Sequence, residues 1–198
     1  LRENPNLFPS TSQPPVGEFV ELYKKIATTD DEIISIHLSG GISGTVKSAQ
    51  SAALLLPTYN IHVVDSLTSV AGQGLIVKEA AYFAKQGKNK AQILEIIEYL
   101  KKNLITLFMV DDLEYLKRGG RIGGAAALLG TLLQVKPILT INDQISVYQK
   151  VRTKQKAFTI MIDTLGKAIN ANSISNIKVV VMNVDAADEA NKIADLIF

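Results

Sequence analysis

Residues 32–45 decide the fold, and their sequence is Glu-Ile-Ile-Ser-Ile-His-Leu-Ser-Gly-Gly-Ile-Ser-Gly-Thr. Glu32 to Leu38 is short, rich in β-branched residues and followed by glycine, a pattern typical of a strand. Ser39 to Thr45 is a loop of serine and glycine. Val46 to Leu56 has the character of a helix, which Pro57 ends. The stretch therefore predicts a strand, a loop and a helix in succession.

Strands and helices continue to alternate around this unit. A second short strand is predicted at Ile61 to Val64, and helices are predicted at Gly17 to Ala27, Val70 to Gln86 and Ala91 to Lys102. This alternation favours an α/β fold whose parallel sheet is covered by helices.

The second half of the chain has a different pattern. A hairpin is predicted from Lys136 to Val151, with its turn at Asn142-Asp143, so some strands there pair antiparallel. We therefore expect two domains, residues 1–103 and a mixed α/β domain of residues 104–198. The other predicted elements of this half are strands at Leu104 to Val110 and Ile177 to Val184, and helices at Asp111 to Leu116, Ala125 to Leu133, Thr153 to Ile169 and Ala187 to Ile197.

Composition excludes several classes of function. The 198 residues include no cysteine, so thiolate nucleophiles, disulfides and cysteine-ligated metals are absent. The net charge of +2 and the lack of a long apolar run predict neither nucleic-acid binding nor stable membrane insertion. Only two histidines occur, and no metal-ligand cluster accompanies them. We therefore predict no catalytic residue, metal or cofactor.

The Ser39–Thr45 loop is the strongest candidate for a binding site. It follows a strand at the sheet edge where open α/β sheets bind ligands, and the next helix offers unpaired N–H groups and a positive dipole end. Hydroxyls of Ser39, Ser43 and Thr45 add donors, so the loop suits a carboxylate or a phosphate. The alternative is that Ser43 or Thr45 only caps the helix. Lys47 is misplaced for a Walker-type nucleotide loop.

Four other polar features have a functional and a structural interpretation. Thr11 and Ser12, or Asp65-Ser66 with a metal or base role, could belong to a site, but for each pair the sequence favours a helix cap. The basic segment Lys117–Arg121 could bind an acidic group or end a helix. Arg152 and its neighbouring lysines could contact a partner or be a solvated surface.

Taken in order, these segments resemble the DegV family. The matching segments are Thr11-Ser12-Gln13-Pro14, Ser39 to Thr45, Asp65-Ser66, Tyr115 to Ile122, Lys136-Pro137-Ile138 and Val151-Arg152-Thr153. The resemblance implies a two-domain cytoplasmic α/β protein that holds a long-chain fatty acid between its domains. It also implies that the protein presents the acid to a fatty acid kinase subunit, which phosphorylates the carboxyl group for phospholipid synthesis.

The resemblance also implies roles for individual residues. Thr11 and Ser43 would hydrogen-bond the carboxylate, with Ser12 and the Gly44 backbone nearby, and Arg152 would contact the kinase. Family members also have an earlier strand with an Asp-Ser motif and a C-terminal His-x-Gly-Pro-Gly segment. Neither occurs here, so we expect the sequence to lack its N-terminal strand and to be truncated at its C-terminus.

A fatty acid also needs a dry slot for its tail. Burying each CH₂ contributes roughly 0.8 kcal/mol, so a tail of about 15 methylenes has ~12 kcal/mol available before ordering and association costs. Small residues at Gly123 to Ala127 would leave room for it, although close helix packing would also use them. The predicted lining residues are Phe108, Ile122, Ala126, Leu129, Leu133 and Ile138.

Two other functions fit parts of the sequence. The strand–loop–helix unit, and an analogy with dihydroxyacetone kinase-like domains, would fit a phosphate- or nucleotide-binding enzyme. A structural or regulatory protein would use its hydroxyl clusters only as helix caps.

Overall fold

The computed structural model describes residues 8–130, 135–172 and 177–197. The first half has a parallel pair of strands with helices on both faces. Its elements are α1 (Val16–Ile26), β1 (Glu32–His37), α2 (Thr45–Leu54), β2 (Asn60–Asp65), α3 (Val70–Lys85) and α4 (Lys90–Asn103). β1 and β2 pair parallel from Glu32 opposite Asn60 to His37 opposite Asp65, so both strands end at the same sheet edge.

Alternation along the two strands separates two apolar cores. Ile33, Ile61 and Val63 face Phe19 and Tyr23 of α1, together with alanines of α2. Ile34, Ile36 and Val64 face Ile76 of α3 and Ile97 of α4. Because successive strand side chains point to opposite faces, each face of this pair carries its own helical layer.

The second half is built around an antiparallel sheet. Its elements are β3 (Leu107–Phe108), α5 (Glu114–Arg118), a 3₁₀-helix (Gly123–Leu128), β4 (Lys136–Asn142), β5 (Gln144–Val151), α6 (Lys154–Asn172) and α7 (Ala187–Ile197). The strand order is β3-β4-β5, and the register of β4 against β5 shifts between Ile138 and Leu139. The predicted hairpin is therefore confirmed, with Asp143 at its tip.

Two apolar clusters cover the two faces of this sheet. The first contains Leu113, Ala125, Leu128, Leu139 and Ile145 and lies under the 3₁₀-helix; we call it the 3₁₀-side cluster. The second contains Ile138, Val151 and Ala157 and lies under α6. The α/β fold class with a parallel sheet and a second, mixed part is confirmed, whereas the boundary at residue 103 stays a prediction.

Three predicted elements differ from the structure. Ile177 to Val184 was predicted as a strand, but the chain there pairs with no strand among the described residues. Val184 is 94% exposed, and Lys178 forms an ion pair with Glu79 of α3. β-branched composition gives strand propensity only, and a strand also needs a neighbouring edge.

The other two differences follow from local sequence. The strand predicted at Leu104 to Val110 is reduced to the two residues that pair with Thr140 and Leu139. The helix predicted at Ala125 to Leu133 extends past the described residues, and its described part lies in a 3₁₀-helix over Gly123–Leu128, where Gly123 has a positive φ of 49°. Glycine weakens an α-helix and permits this backbone.

No helix in the described ranges is long and apolar enough to cross a membrane.

Candidate functional site

The Ser39–Thr45 loop leaves the carboxyl end of β1 and leads directly into α2. The Ser39 carbonyl accepts hydrogen bonds from the amides of Ile42 (3.2 Å) and Ser43 (3.1 Å), which folds the loop into a turn. The N-cap position of α2 is Gly44, and no side chain caps the helix. The interpretation of Ser43 or Thr45 as the N-cap is therefore wrong, because Gly44 lies between Ser43 and the helix, and Thr45 is the first residue of the helix.

Two hydroxyl groups meet at this helix start. Ser43 Oγ and Thr45 Oγ1 are 2.8 Å apart, and Ser43 Oγ also accepts from the Thr45 amide at 3.3 Å. The first turn of α2 contains no acidic residue. Hydroxyl donors, the N-cap residue Gly44 without a capping side chain, and the positive end of the helix dipole together favour an anionic group here.

The N-terminal segment, residues 8–15, lies beside the same loop. An ideal Cβ built on Gly44 would be 2.9 Å from both Cδ and Nε2 of Gln13, so the Gln13 side chain lies directly against this glycine. The neighbouring Thr11 and Ser12 are exposed. The structure thus brings the segment that carries Thr11 and Ser12 to the loop that carries Ser43 and Gly44.

The other end of this segment rests on α5. The ring of Phe8 stacks on Tyr115, with centroids 6.2 Å apart and planes 14° from parallel. The Arg118 guanidinium carbon lies 4.4 Å from the Phe8 ring centroid, in a cation–π contact. Thr11 and Ser12 therefore lie between an aromatic contact in the second half of the chain and the Gln13 contact in the first.

Asp65 connects the two loops at the carboxyl edge of the sheet. Its Oδ2 accepts from the Gly40 amide at 3.0 Å, and its Oδ1 accepts from the Leu67 amide at 2.9 Å. The prediction that Asp65-Ser66 caps the next helix is wrong, because the N-cap position of α3 is Ser69. Within the described residues no three His, Asp or Glu side chains are grouped to hold a metal ion.

An apolar surface adjoins the loop. Ile42 packs against the 3₁₀-side cluster, and Arg121 Nε donates to the Ile42 carbonyl at 3.1 Å. Phe108, Ile122 and Leu129 are half-buried around the same cluster. The loop therefore has hydroxyls on one part of its surface and an aliphatic contact with a large apolar cluster on another.

The structure separates the other predicted lining residues. Ala126 is exposed on the 3₁₀-helix, although its neighbour Ala125 is fully buried. Ile138 is fully buried on the opposite sheet face, under α6, because adjacent strand residues point to opposite faces. Leu133 lies outside the described residues. A groove of about 430 Å³ lies between β5 and α6, and none of the predicted lining residues borders it.

Arg152 lies at the turn between β5 and α6. It is exposed and makes no ion pair with any described residue, and Lys150 and Lys156 are exposed beside it. Lys154 differs, because its Nζ contacts Asp111 at 2.9 Å and Glu189 at 2.7 Å. These hydrogen bonds raise the pKa of Lys154. Of the predicted basic patch, Lys154 is thus occupied by internal ion pairs, whereas Arg152 faces solvent.

His37 belongs to a packing network. Its Nε2 is 2.7 Å from Ser35 Oγ, which is 2.8 Å from the Tyr23 hydroxyl, and its ring meets Phe19 edge to face at 5.2 Å. Burial lowers the pKa of His37, and the charge of Asp65 partly offsets that effect. Burial likewise raises the pKa of Tyr23. The His37 side chain therefore stabilises the contact between α1 and β1.

One residue at this site was missed from sequence. Asp143, at the hairpin tip, accepts a hydrogen bond from Ser39, which lies 104 positions earlier. The Asn-Asp pair indicated the turn, but nothing in the sequence indicated where the turn would dock.

Comparison with known proteins gives a consistent result. The sequence profile described as "Uncharacterised protein, DegV family" matches residues 2–197. The chain is 38% identical over 192 residues to Protein DegV of Bacillus subtilis (strain 168), covering 96% of this chain and 68% of that protein.

Two solved structures are also similar. DegV from Bacillus subtilis, a fatty acid binding protein, is 40% identical with a TM-score of 0.73. A DegV family protein from Thermus thermophilus, solved for its fatty acid binding, is 36% identical with a TM-score of 0.76. Each comparison covers 82% of this chain and 58% of the other. The chain thus spans between 58% and 68% of the length of these three proteins.

Proposed function

Because the chain belongs to the DegV family, we propose that it binds a long-chain fatty acid. The relatives from Bacillus subtilis and Thermus thermophilus are both described as binding fatty acids. In this chain the carboxylate would lie at the start of α2, held by Thr11, Ser43 and the Gly44 backbone, with Ser12 nearby.

The position of the Ser39–Thr45 loop is the observation that carries this proposal. Ser43 and Thr45 offer hydroxyls at the start of α2, while Ile42 of the same loop packs against the 3₁₀-side cluster. A fatty acid has one anionic end and one apolar end, so a loop with both kinds of surface matches its two parts. A free phosphate would have no use for the apolar side.

The energetics assign different tasks to the two ends. Each methylene removed from water contributes roughly 0.8 kcal/mol, and a net hydrogen bond contributes about 0.5–1.5 kcal/mol. The tail therefore dominates affinity, and the hydroxyls orient the carboxylate. Phe108, Ile122 and Leu129 are the described residues best suited to line the tail, since they surround the cluster that Ile42 joins.

We further propose that the protein acts as a fatty acid carrier. It would present the bound carboxylate to a fatty acid kinase in the cytoplasm, with Arg152 contacting the kinase, and it would need no cofactor and perform no covalent chemistry. The exposure of Arg152 and its freedom from ion pairs with the described residues support this role. A guanidinium fork is well suited to bidentate contact with a carboxylate of a partner.

Calorimetry on delipidated full chain tests the binding proposal. We expect palmitate to bind with one-to-one stoichiometry and ATP to give no heat of binding. Binding of ATP without binding of palmitate would instead favour a nucleotide-binding enzyme. For the carrier role, a fatty acid kinase should phosphorylate palmitate only when this protein is added, and equal rates with and without it would contradict that role.

A further inference from the structure

We propose that Asp143 is a positioning residue that sets the spacing between the headgroup loop, residues 39–45, and the 3₁₀-side cluster. This inference rests on the proposed fatty acid binding and extends it to chain-length preference. Asp143 is the single residue between β4 and β5, and its backbone has a positive φ of 66°. Aspartate is one of the few residues other than glycine that adopt this backbone readily.

Asp143 is tied to both loops at the carboxyl edge of the parallel strands. The hydroxyl of Ser39, which is fully buried, lies 2.5 Å from the Asp143 carbonyl oxygen and 3.0 Å from Oδ1. The Asp143 amide donates to the Leu67 carbonyl at 2.8 Å. The hairpin tip therefore uses its amide, its carbonyl and its carboxylate to hold two loops from the other half of the chain.

The Ser39 hydroxyl passes this restraint into the headgroup loop. The Gly41 amide donates to Ser39 Oγ at 3.0 Å. An ideal Cβ on Gly41 would lie 2.5 Å from the Asp143 carbonyl oxygen and 2.7 Å from Oδ1. Any larger residue at position 41 would therefore push the hairpin tip away from the loop. The close approach of the two backbones explains why a glycine occupies this position.

The strands that lead to Asp143 also carry the apolar cluster. Leu139 of β4 is fully buried in it, and Ile145 of β5, two residues after Asp143, is 6% exposed. Ile145 also meets the 3₁₀-helix, because its carbonyl oxygen lies where a Cβ on Gly123 would be. The hairpin thus contacts the headgroup loop at its tip, and its strands contribute residues to the 3₁₀-side cluster.

A fixed distance between these two surfaces has a consequence for ligand choice. With the headgroup held, an acid longer than the slot cannot shift backward to relieve crowding at its far end. If the tip is released from the loop, the carboxylate can move, and the longer acid is accommodated. Asp143 therefore affects how sharply affinity falls for acids longer than the best-bound one. The overall stability of the fold would not change this dependence on chain length.

The test compares fatty acid affinities in the full chain and its variants. Kd is measured for a series of even-numbered saturated acids, and the readout is the Kd ratio between the best-bound acid and its next longer homologue. The variants are Asp143→Ala, Ser39→Ala and Asp143→Asn, with Gln144→Ala as control. Gln144 is an exposed neighbour in the same hairpin.

We expect Ser39→Ala, which deletes both bonds from Ser39 to the hairpin tip, to reduce this ratio by about 3-fold or more, the equivalent of one net hydrogen bond. Asp143→Ala removes only the Oδ1 acceptor and keeps the backbone bonds, so it should reduce the ratio by a smaller factor. Asp143→Asn keeps an Oδ1 acceptor and tolerates the left-handed backbone, so it should retain the wild-type ratio, as should Gln144→Ala. If Asp143→Ala fails to fold, Ser39→Ala provides the same test.

Two outcomes would overturn the inference. A wild-type ratio in both Asp143→Ala and Ser39→Ala would overturn it while leaving the proposed function intact. This includes the case in which every acid binds more weakly by the same factor, since spacing would then not be involved. No binding of any acid by the wild-type protein would overturn the proposed function and the inference together.

Discussion

The Gln13 side chain lies directly against Gly44, so close that a methyl group on this glycine would fall 2.9 Å from the Gln13 Cδ. This contact joins the N-terminal segment to the first residue before α2. Because Thr11 and Ser12 precede Gln13, it also brings two exposed hydroxyl side chains to the helix start that carries Ser43. The proposed carboxylate site depends on this meeting of two distant segments.

Gly44→Ala should therefore weaken fatty acid binding. The added methyl displaces the end of a flexible side chain rather than backbone, so we expect the free energy of unfolding to fall by no more than about 1 kcal/mol. Affinity should decrease by about 3-fold or more as Gln13 and its neighbours move. Calorimetric titration with palmitate, together with urea unfolding, measures both effects.

Gly17→Ala is the matched control. Gly17 lies in the exposed first turn of α1, and a Cβ there would meet no atom within 4 Å. This variant should keep wild-type affinity and stabilise the helix slightly. If both alanine variants bind palmitate as the wild type does, the Gln13 contact has no part in ligand binding.

Ser43→Ala tests the headgroup hydroxyl directly. Removing it deletes the proposed donor to the carboxylate and a bond to Thr45, and we expect palmitate affinity to fall by about 3- to 10-fold. Ser51→Ala, an exposed position later in the same helix, should leave affinity unchanged. Unaltered affinity in the Ser43 variant would remove this residue from the site.

Local features of the fold were predictable from sequence, whereas long-range docking was not. The strand, the loop and the start of the helix predicted around Glu32 to Thr45 are present in the structure. The contact of Asp143 with Ser39 spans 104 positions, and no local pattern encodes it. Ile138 was predicted to line the tail, but the register of the hairpin turns it toward α6 while Leu139 faces the 3₁₀-helix.

The candidate site was predictable to a similar extent. Hydroxyl and glycine content indicated an anion-binding loop, because hydroxyl side chains supply donors and glycine lets the backbone approach a ligand closely. The apolar contact of Ile42, and the stacking of Phe8 on Tyr115, depend on how the two halves of the chain pack. Sequence alone gives the composition of such surfaces and leaves their partners undetermined.

Arg152→Ala should separate lipid binding from delivery. Arg152 is exposed and follows β5 at the end opposite to Asp143, which contacts the headgroup loop, so palmitate affinity should be unchanged. Kinase-dependent formation of acyl phosphate should slow by 10-fold or more, because loss of a charge-assisted contact costs about 1.4 kcal/mol or more of binding free energy. Lys25→Ala, which removes an exposed cation from α1, is the control. Equal kinase rates for both variants would exclude the role of Arg152.

His37 predicts a pH dependence of stability. Its folded pKa is lowered by burial, whereas the unfolded chain titrates near about 6.5. Between these two values the unfolded state binds more protons, so stability is highest above pH ~6.5 and decreases as pH falls through the folded pKa. His37→Gln should flatten the change in Tm with pH below ~6.5 relative to the wild type. Identical profiles for His37→Gln and the wild type would contradict this assignment.

Native mass spectrometry of the protein purified from bacteria, without any delipidation step, tests the central claim most directly. If hydroxyls and helix amides bind an acid headgroup beside an apolar slot, the spectrum should show a mass excess of one long-chain fatty acid, which solvent denaturation releases. Protein that carries no acyl chain, and that also takes up none when fatty acid is added, would contradict the account.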